Sequence, residues 1–285
     1  MNNDIINSFI THLKRNALFW GLIIFGVLIK LPFGLSWLLC FWALSHVIFE
    51  RKDGDVQGAK AGVKWIEILS LAILPSGIFW LHEAAPLKIN SIFWQQTPTG
   101  QVEWFPGVYY GVLYLVPFLP RIAGRREVLS CLKFRLTRRH TLLIVLSIIP
   151  IIITNIRQAS SNAQYFASVS EAALFVAAVK PFYFNGFWEE LYFRGLLLSL
   201  LLTRLRVGLA VAVSAVIFAL SHYDLIKAAA IIDFHQFLTQ LFVVFVLGLV
   251  TASVCWRSGS LWPAILFHSC SSGLVYLTAL IARNW

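Results

Sequence analysis

The sequence predicts an all-α, polytopic integral membrane protein with eight or nine transmembrane helices. Three observations predict it. Of 285 residues, 59% are apolar and only 13% are charged, where a soluble domain carries roughly 45–50% and about 25%. That leaves too little polar surface to cover a water-soluble body, and it excludes disorder, which needs low hydrophobicity. The apolar residues fall in long runs, and a helix needs ~20 of them to cross ~30 Å of hydrocarbon. The runs do not alternate with the period of 2 that a transmembrane β-strand requires: Leu241-Phe242-Val243-Val244-Phe245-Val246-Leu247 is apolar throughout.

The runs lie at about 17–30, 33–49, 65–81, 104–120, 141–155, 166–184 continuing to 203, 207–222, 235–256 and 260–282. Pro32 and Gly34 separate the first two, which are short and read as two tight spans or one re-entrant pair. The first run reads as a retained helix. Asp4 and several asparagines precede it, and Lys30-Leu31-Pro32 follows it rather than a small-residue cleavage site. Residues 82–103 form the longest polar loop. Trp104, Tyr109, Tyr110, Trp256 and Trp262 sit near run ends, as an interfacial aromatic belt does.

Lys and Arg number 23 against 13 Asp and Glu, a net charge of +10. They gather at Lys14-Arg15, at Arg51, Lys52, Lys60 and Lys64, in 121–139, and at Arg204 and Arg206, while the intervening loops hold few. The positive-inside rule turns that alternation into a multi-pass protein of the cell membrane, with a cytoplasmic N-terminus, nine crossings and an external C-terminus. Membrane lipids are the expected surroundings. No aromatic platform interleaves the basic run, so a nucleic-acid partner is not expected.

Metal and thiol motifs are missing. Cys40, Cys131, Cys255 and Cys270 are scattered, and three of them lie in or at the ends of apolar runs, where cysteine serves as a small hydrophobe. His82-Glu83 opens like a zinc-protease helix, but position 86 is Pro. No cofactor is expected.

An ionisable residue inside a span costs ~2.5–3.5 kcal/mol, which makes each one a functional candidate. Lys64, Glu67, Glu171 and Lys180 fall near run ends and read as interfacial. The segment Phe187-Trp188-Glu189-Glu190-Leu191-Tyr192-Phe193-Arg194 differs, because its three charges lie inside a run that continues to Leu202. Glu190 and Arg194 are spaced i, i+4 and can pair. Glu189 points about 100° away around the helix and is left for another task. Pro181, Asn185 and Gly186 are expected to break the helix, placing Glu189 in the first turn of a new one. Two further constellations are Phe218-Ala219-Leu220-Ser221-His222 and the stretch from Pro263 through His268 to Ser272. Pro263 suits a first helical turn, and Ser272 follows His268 one turn on. His235, beside Asp233, is a weaker candidate. One Glu and two His allow two chemistries. A carboxylate can act as base on a water with histidine support, or the three can bind a metal with an open position.

Glu189-Glu190-x-x-x-Arg194, then Phe218-x-x-x-His222, then His268-x-x-x-Ser272 resembles the motif series of the CPBP family. That family includes the CAAX prenyl endopeptidases and bacteriocin-processing enzymes, and is also called ABI. The resemblance covers roughly residues 168–280. It divides the chain into 1–165, N-terminal transmembrane helices of unassigned role, and 166–285, a CPBP-like intramembrane protease domain. It implies a CAAX-type intramembrane peptidase, a hydrolase acting near the end of a membrane-associated peptide or lipidated protein. Glu189 with His222 would activate water; the family was long described as metalloproteases, but the sequence lacks a convincing third or fourth ligand, which favours a water activated without metal. His268 and the residue one turn on would form an oxyanion hole; that position is usually Asn in the family and is Ser272 here. Two other readings stand beside it: a non-enzymatic membrane interaction or immunity protein with the same fold, and a proton-coupled transporter. Transporters often carry matched repeats with broken helices, and none is visible.

Overall fold

A computed structural model describes residues 35–49, scattered positions from 65 to 73, 94–97, 100–103, 134–222 and 234–283. Apart from one short hairpin, these residues are helical. In chain order the elements are α1 (Leu35–Ile48), β1 (Trp94–Thr97), β2 (Gly100–Glu103), α2 (Arg138–Ser161), α3 (Ala163–Ser168), α4 (Glu171–Tyr183), α5 (Leu198–Leu202), α6 (Val207–Leu220), α7 (Phe234–Ser258) and α8 (Trp262–Arg283). The hairpin pairs Trp94 with Glu103 and Thr97 with Gly100 in antiparallel register, within the stretch expected to be loop.

Three described helices are long and apolar enough to cross a membrane: α2, α7 and α8, with 24, 25 and 22 residues. At 1.5 Å per residue they extend about 33–38 Å, more than the ~30 Å hydrocarbon core. Helix α6 is apolar but has only 14 residues. Of the other expected spans, the runs at 17–30 and 104–120 and much of 65–81 lie outside the described residues, while those at 33–49, 166–203 and 207–222 lie within them and do not add to the three. The outer faces are apolar: Val145, Ile149, Ile153, Phe175, Val216 and Phe242 are all exposed. On α2 and α7, helices of spanning length, exposed apolar side chains suit a lipid surrounding.

The helix break expected at Pro181–Gly186 does not form. The chain stays helical from Glu171 to Leu202 by widening its turns, through π-helical segments at Phe184–Glu189 and Leu191–Leu197. Proline lacks the N–H of its own turn, and a wider turn keeps the rod continuous where a standard turn cannot. Packing holds it there. A Cβ at Gly186 would overlap Ser269 Oγ and come 2.8 Å from the Ile265 carbonyl oxygen. Gly186 therefore lets the rod lie directly on α8, the small-residue contact by which membrane helices approach.

The two run antiparallel, from Arg283 beside Val169 to Leu261 beside Gly195. Arg283 donates to the Val169 and Ala167 carbonyls, Gly273 lies against Ala178, Gly186 against Ser269, and Gly195 against Leu261. Helix α2 runs parallel to α8. His140 Nε2 meets the Ser258 carbonyl at 3.1 Å near the start of α8, and Ala159 packs with Val275 and Ala279 near its end. Helix α1 lies against α2 and α7, with Phe41 stacked on Phe267 at 3.9 Å. The turn between α7 and α8 carries Gly259 at φ 63°, a conformation suited to a helix C-terminus.

Trp256 sits at the end of α7 but is only 5% exposed. The belt reading fails there because the Trp256 side chain packs inside the protein rather than at its outer surface. Cys255 and Cys270 are buried free thiols, as expected of small hydrophobes.

Candidate active site

The site forms where the widened rod crosses α8 and the end of α6. Glu190 and Arg194 are both fully buried, and Arg194 Nε lies 3.1 Å from Glu190 Oε2. The expected pair is present, with a qualification in its geometry. The Nε–H is directed at Thr251 Oγ1, 2.9 Å away on α7, and Nη2 donates to the same hydroxyl. Glu190 Oε2 receives no directed hydrogen bond. The guanidinium therefore attracts the carboxylate mainly by charge, which is strong where water is absent. Beneath the guanidinium lies the Phe218 ring, 4.1 Å from its carbon, a cation–π contact worth about 2 kcal/mol when desolvated.

Glu190 has a further partner. Its Oε1 lies 2.8 Å from His268 Nδ1. His268 sits in the second turn of α8 and is 3% exposed. A carboxylate only accepts, so Nδ1 carries the proton and Nε2 is the ring atom left for other work. Glu190 is thus shared between Arg194 and His268. The pairwise reading missed this because the two residues lie 78 positions apart.

His222 closes α6. Its Nδ1 lies 2.8 Å from the Phe218 carbonyl oxygen, again an acceptor only, so Nε2 of the neutral ring presents its lone pair. The Phe218 ring stands edge-on to both imidazoles, with centroids 4.6 Å from His222 and 6.1 Å from His268. One aromatic side chain thus spaces His222, His268 and Arg194. It belongs to the Phe-x-x-x-His motif.

Glu189 shares none of these partners. It is half-buried, and its Oε2 is buried without a hydrogen-bond partner, as is the neighbouring Trp188 Nε1. Adjacent glutamates thus have different environments, as the helical offset predicts. Ser272 is half-buried, one turn beyond His268. Its neighbours Ser269 and Ser271 are both bonded to α8 carbonyls. His235 is exposed in the first turn of α7, in keeping with an interfacial role, and Glu171 is likewise exposed. Lys64, Glu67, His82 and Asp233 fall outside the described residues. Among the described residues no three His, Cys, Asp or Glu side chains gather as a metal-ligand set.

Sequence reasoning missed Thr251 by counting only ionisable groups. A hydroxyl in the middle of a 25-residue apolar helix was the available signal.

These features define a helical membrane protein with a buried Glu–Arg–His cluster at the crossing of a widened helix and its neighbours. Residues 169–274 match the family model described as type II CAAX prenyl endopeptidase Rce1-like, the family likeness that the order of the motifs predicts. The match spans Glu189, Glu190, Arg194, His222, His268 and Ser272. The comparisons with curated proteins and with solved structures returned no match.

Proposed function

We propose that the chain is an intramembrane endopeptidase of CAAX type that hydrolyses a peptide bond near the end of a membrane-associated peptide or lipidated protein. The observation that carries the reading is that Glu189, whose buried Oε2 has no hydrogen bond, pairs with no cation among the described residues, beside a Glu190 that is ion-paired with Arg194 and bonded to His268.

The chemistry follows from the free atoms. A water has two protons to donate. Glu189 accepts one and His222 Nε2 the other, which turns an oxygen lone pair toward the scissile carbonyl. Glu189 takes the proton as the tetrahedral intermediate forms, and passes it to the leaving amine. His268 donates from Nε2 to the oxyanion when its ring is doubly protonated, a charge that the Glu190 carboxylate at Nδ1 stabilises. Ser272, one turn on, adds a shorter donor. Such donors act most strongly in a water-excluded site. No metal takes part in this scheme.

The same reading takes 166–285 as the protease unit and 1–165 as helices that flank it. It puts the protein in the cell membrane with eight or nine spans and a cytoplasmic N-terminus. Lipids surround it, and nucleic acid is not a partner.

The test is one cleavage assay on purified protein in lipid, using prenylated and lipoprotein-derived peptides. Parent and Glu189→Gln are compared with and without chelator. Cleavage by the parent that falls to background in Glu189→Gln and ignores chelator supports the scheme. Full activity in Glu189→Gln ends it. Loss with chelator that zinc restores replaces it with a metal mechanism. A parent that cleaves nothing leaves the interaction or immunity reading.

A further inference from the structure

We propose that Thr251 is a positioning residue for His268, acting through Arg194 and Glu190; the consequence for catalysis rests on the peptidase reading above. A threonine hydroxyl has one proton and two lone pairs, and here all three are used. The O–H donates to the Leu247 carbonyl at 2.8 Å, and the oxygen accepts from Arg194 Nε and Nη2. Two donors of a planar fork held on one oxygen define the plane of the guanidinium. That plane lies over Phe218 and sets Nε against Glu190 Oε2. The other oxygen of Glu190 then meets His268 Nδ1. The chain runs hydroxyl, guanidinium, carboxylate, imidazole. None of its four members is more than 3% exposed.

Burial gives the chain its effect. No solvent is at hand to replace a lost partner, and the middle link, an Arg194–Glu190 ion pair without a directed hydrogen bond, is little screened in so dry a place. Helix α7 reaches this place because Gly248 lies against α6. A Cβ there would stand 3.0 Å from Ala215 Cα and 3.1 Å from Phe218 Cδ1. The close approach sets Thr251, three residues on, beside Arg194. Thr251 touches no reacting atom in the proposed scheme, so its contribution is the orientation of the His268 ring and hence the aim of Nε2.

The experiment uses the full chain in lipid nanodiscs with ¹⁵N-histidine. Thr251→Val keeps the shape and removes the hydroxyl, while Thr251→Ser keeps the hydroxyl. The His268 ring-nitrogen signals, assigned by their loss in His268→Ala, are expected to move in Thr251→Val and to stay in Thr251→Ser. This arm needs no substrate. In the cleavage assay Thr251→Val is expected to lower kcat on the order of 10²-fold, the effect of a small misplacement, with KM little changed. Thr251→Ser keeps the parent rate. In a His268→Ala background Thr251→Val is expected to cost nothing further, since residues acting as a unit are not additive. If Thr251→Val does not fold, Thr251→Ala, with room for a water, takes its place. Unmoved His268 signals overturn the proposal. So does an equal loss in Val and Ser, or an undiminished loss in the His268→Ala background. A parent without peptidase activity removes the catalytic consequence alone, and the spectra still decide the coupling.

Discussion

Glu189 and Glu190 are adjacent, yet one is consumed by structure and the other is not. Glu190 is held by the Arg194 charge and by His268, while Glu189 has no such ion pair among the described residues. Removing Arg194 strands the Glu190 charge, and breaking a buried pair costs ~3–5 kcal/mol. Arg194→Ala is therefore expected to lower the melting temperature in detergent sharply; a parent-like melting curve would refute the pairing. His222→Ala is expected to abolish hydrolysis almost as fully as Glu189→Gln while the protein stays folded. Loss of the His268 donor is worth ~2.7–4 kcal/mol of transition-state stabilisation, so His268→Ala is expected to lower kcat by about 10²–10³-fold. Ser272→Ala should cost less, and Ser272→Asn should keep or raise the rate, each read as kcat against the parent. The pairing and the offset of Glu189 were legible in residue spacing. The Glu190–His268 bond was not, because spacing along one helix is blind to a partner on another.

At the scale of the element, the rod from Glu171 to Leu202 departs most from expectation. Pro181 and Gly186 both argue for a break when helix propensity alone is weighed. Packing overrides it, because Gly186 is used for contact with α8. Gly186→Val is expected to destabilise by about 1–3 kcal/mol, the range for overpacking a tight contact, measured as a lower thermal midpoint. Ser269→Ala in the same chain should restore only part of it, since the Ile265 carbonyl still stands 2.8 Å from the added Cβ. A Gly186→Val protein as stable as the parent would show that the rod does not lie on α8 in this way.

For the whole molecule, three described helix ends meet at one place. Phe49, at the end of α1, packs on His140 at the start of α2, and His140 meets Ser258 at the end of α7. These ends share one edge of the bundle. The basic loops predict that this edge is cytoplasmic. Single cysteines in a cysteine-free chain test it: positions in 82–103 are expected to label from outside intact cells, and positions at the N-terminus and in 121–139 only after permeabilisation. Labelling of 121–139 from outside would reverse the topology.

The membrane class, the helical content and the pairing of Glu190 with Arg194 follow from the sequence by itself. Each is local or additive: hydrophobicity sums along a run, and the i, i+4 relation of Glu190 to Arg194 lies within one turn. The tertiary structure alone decided that the Pro181 segment continues as a widened helix, that Glu190 also holds His268, and that Thr251 anchors Arg194. Each of these depends on which helices meet and at what height. A glycine gap at Gly186 or Gly248 has no partner until the facing helix is in place, and a buried hydroxyl has no direction until a guanidinium lies beside it.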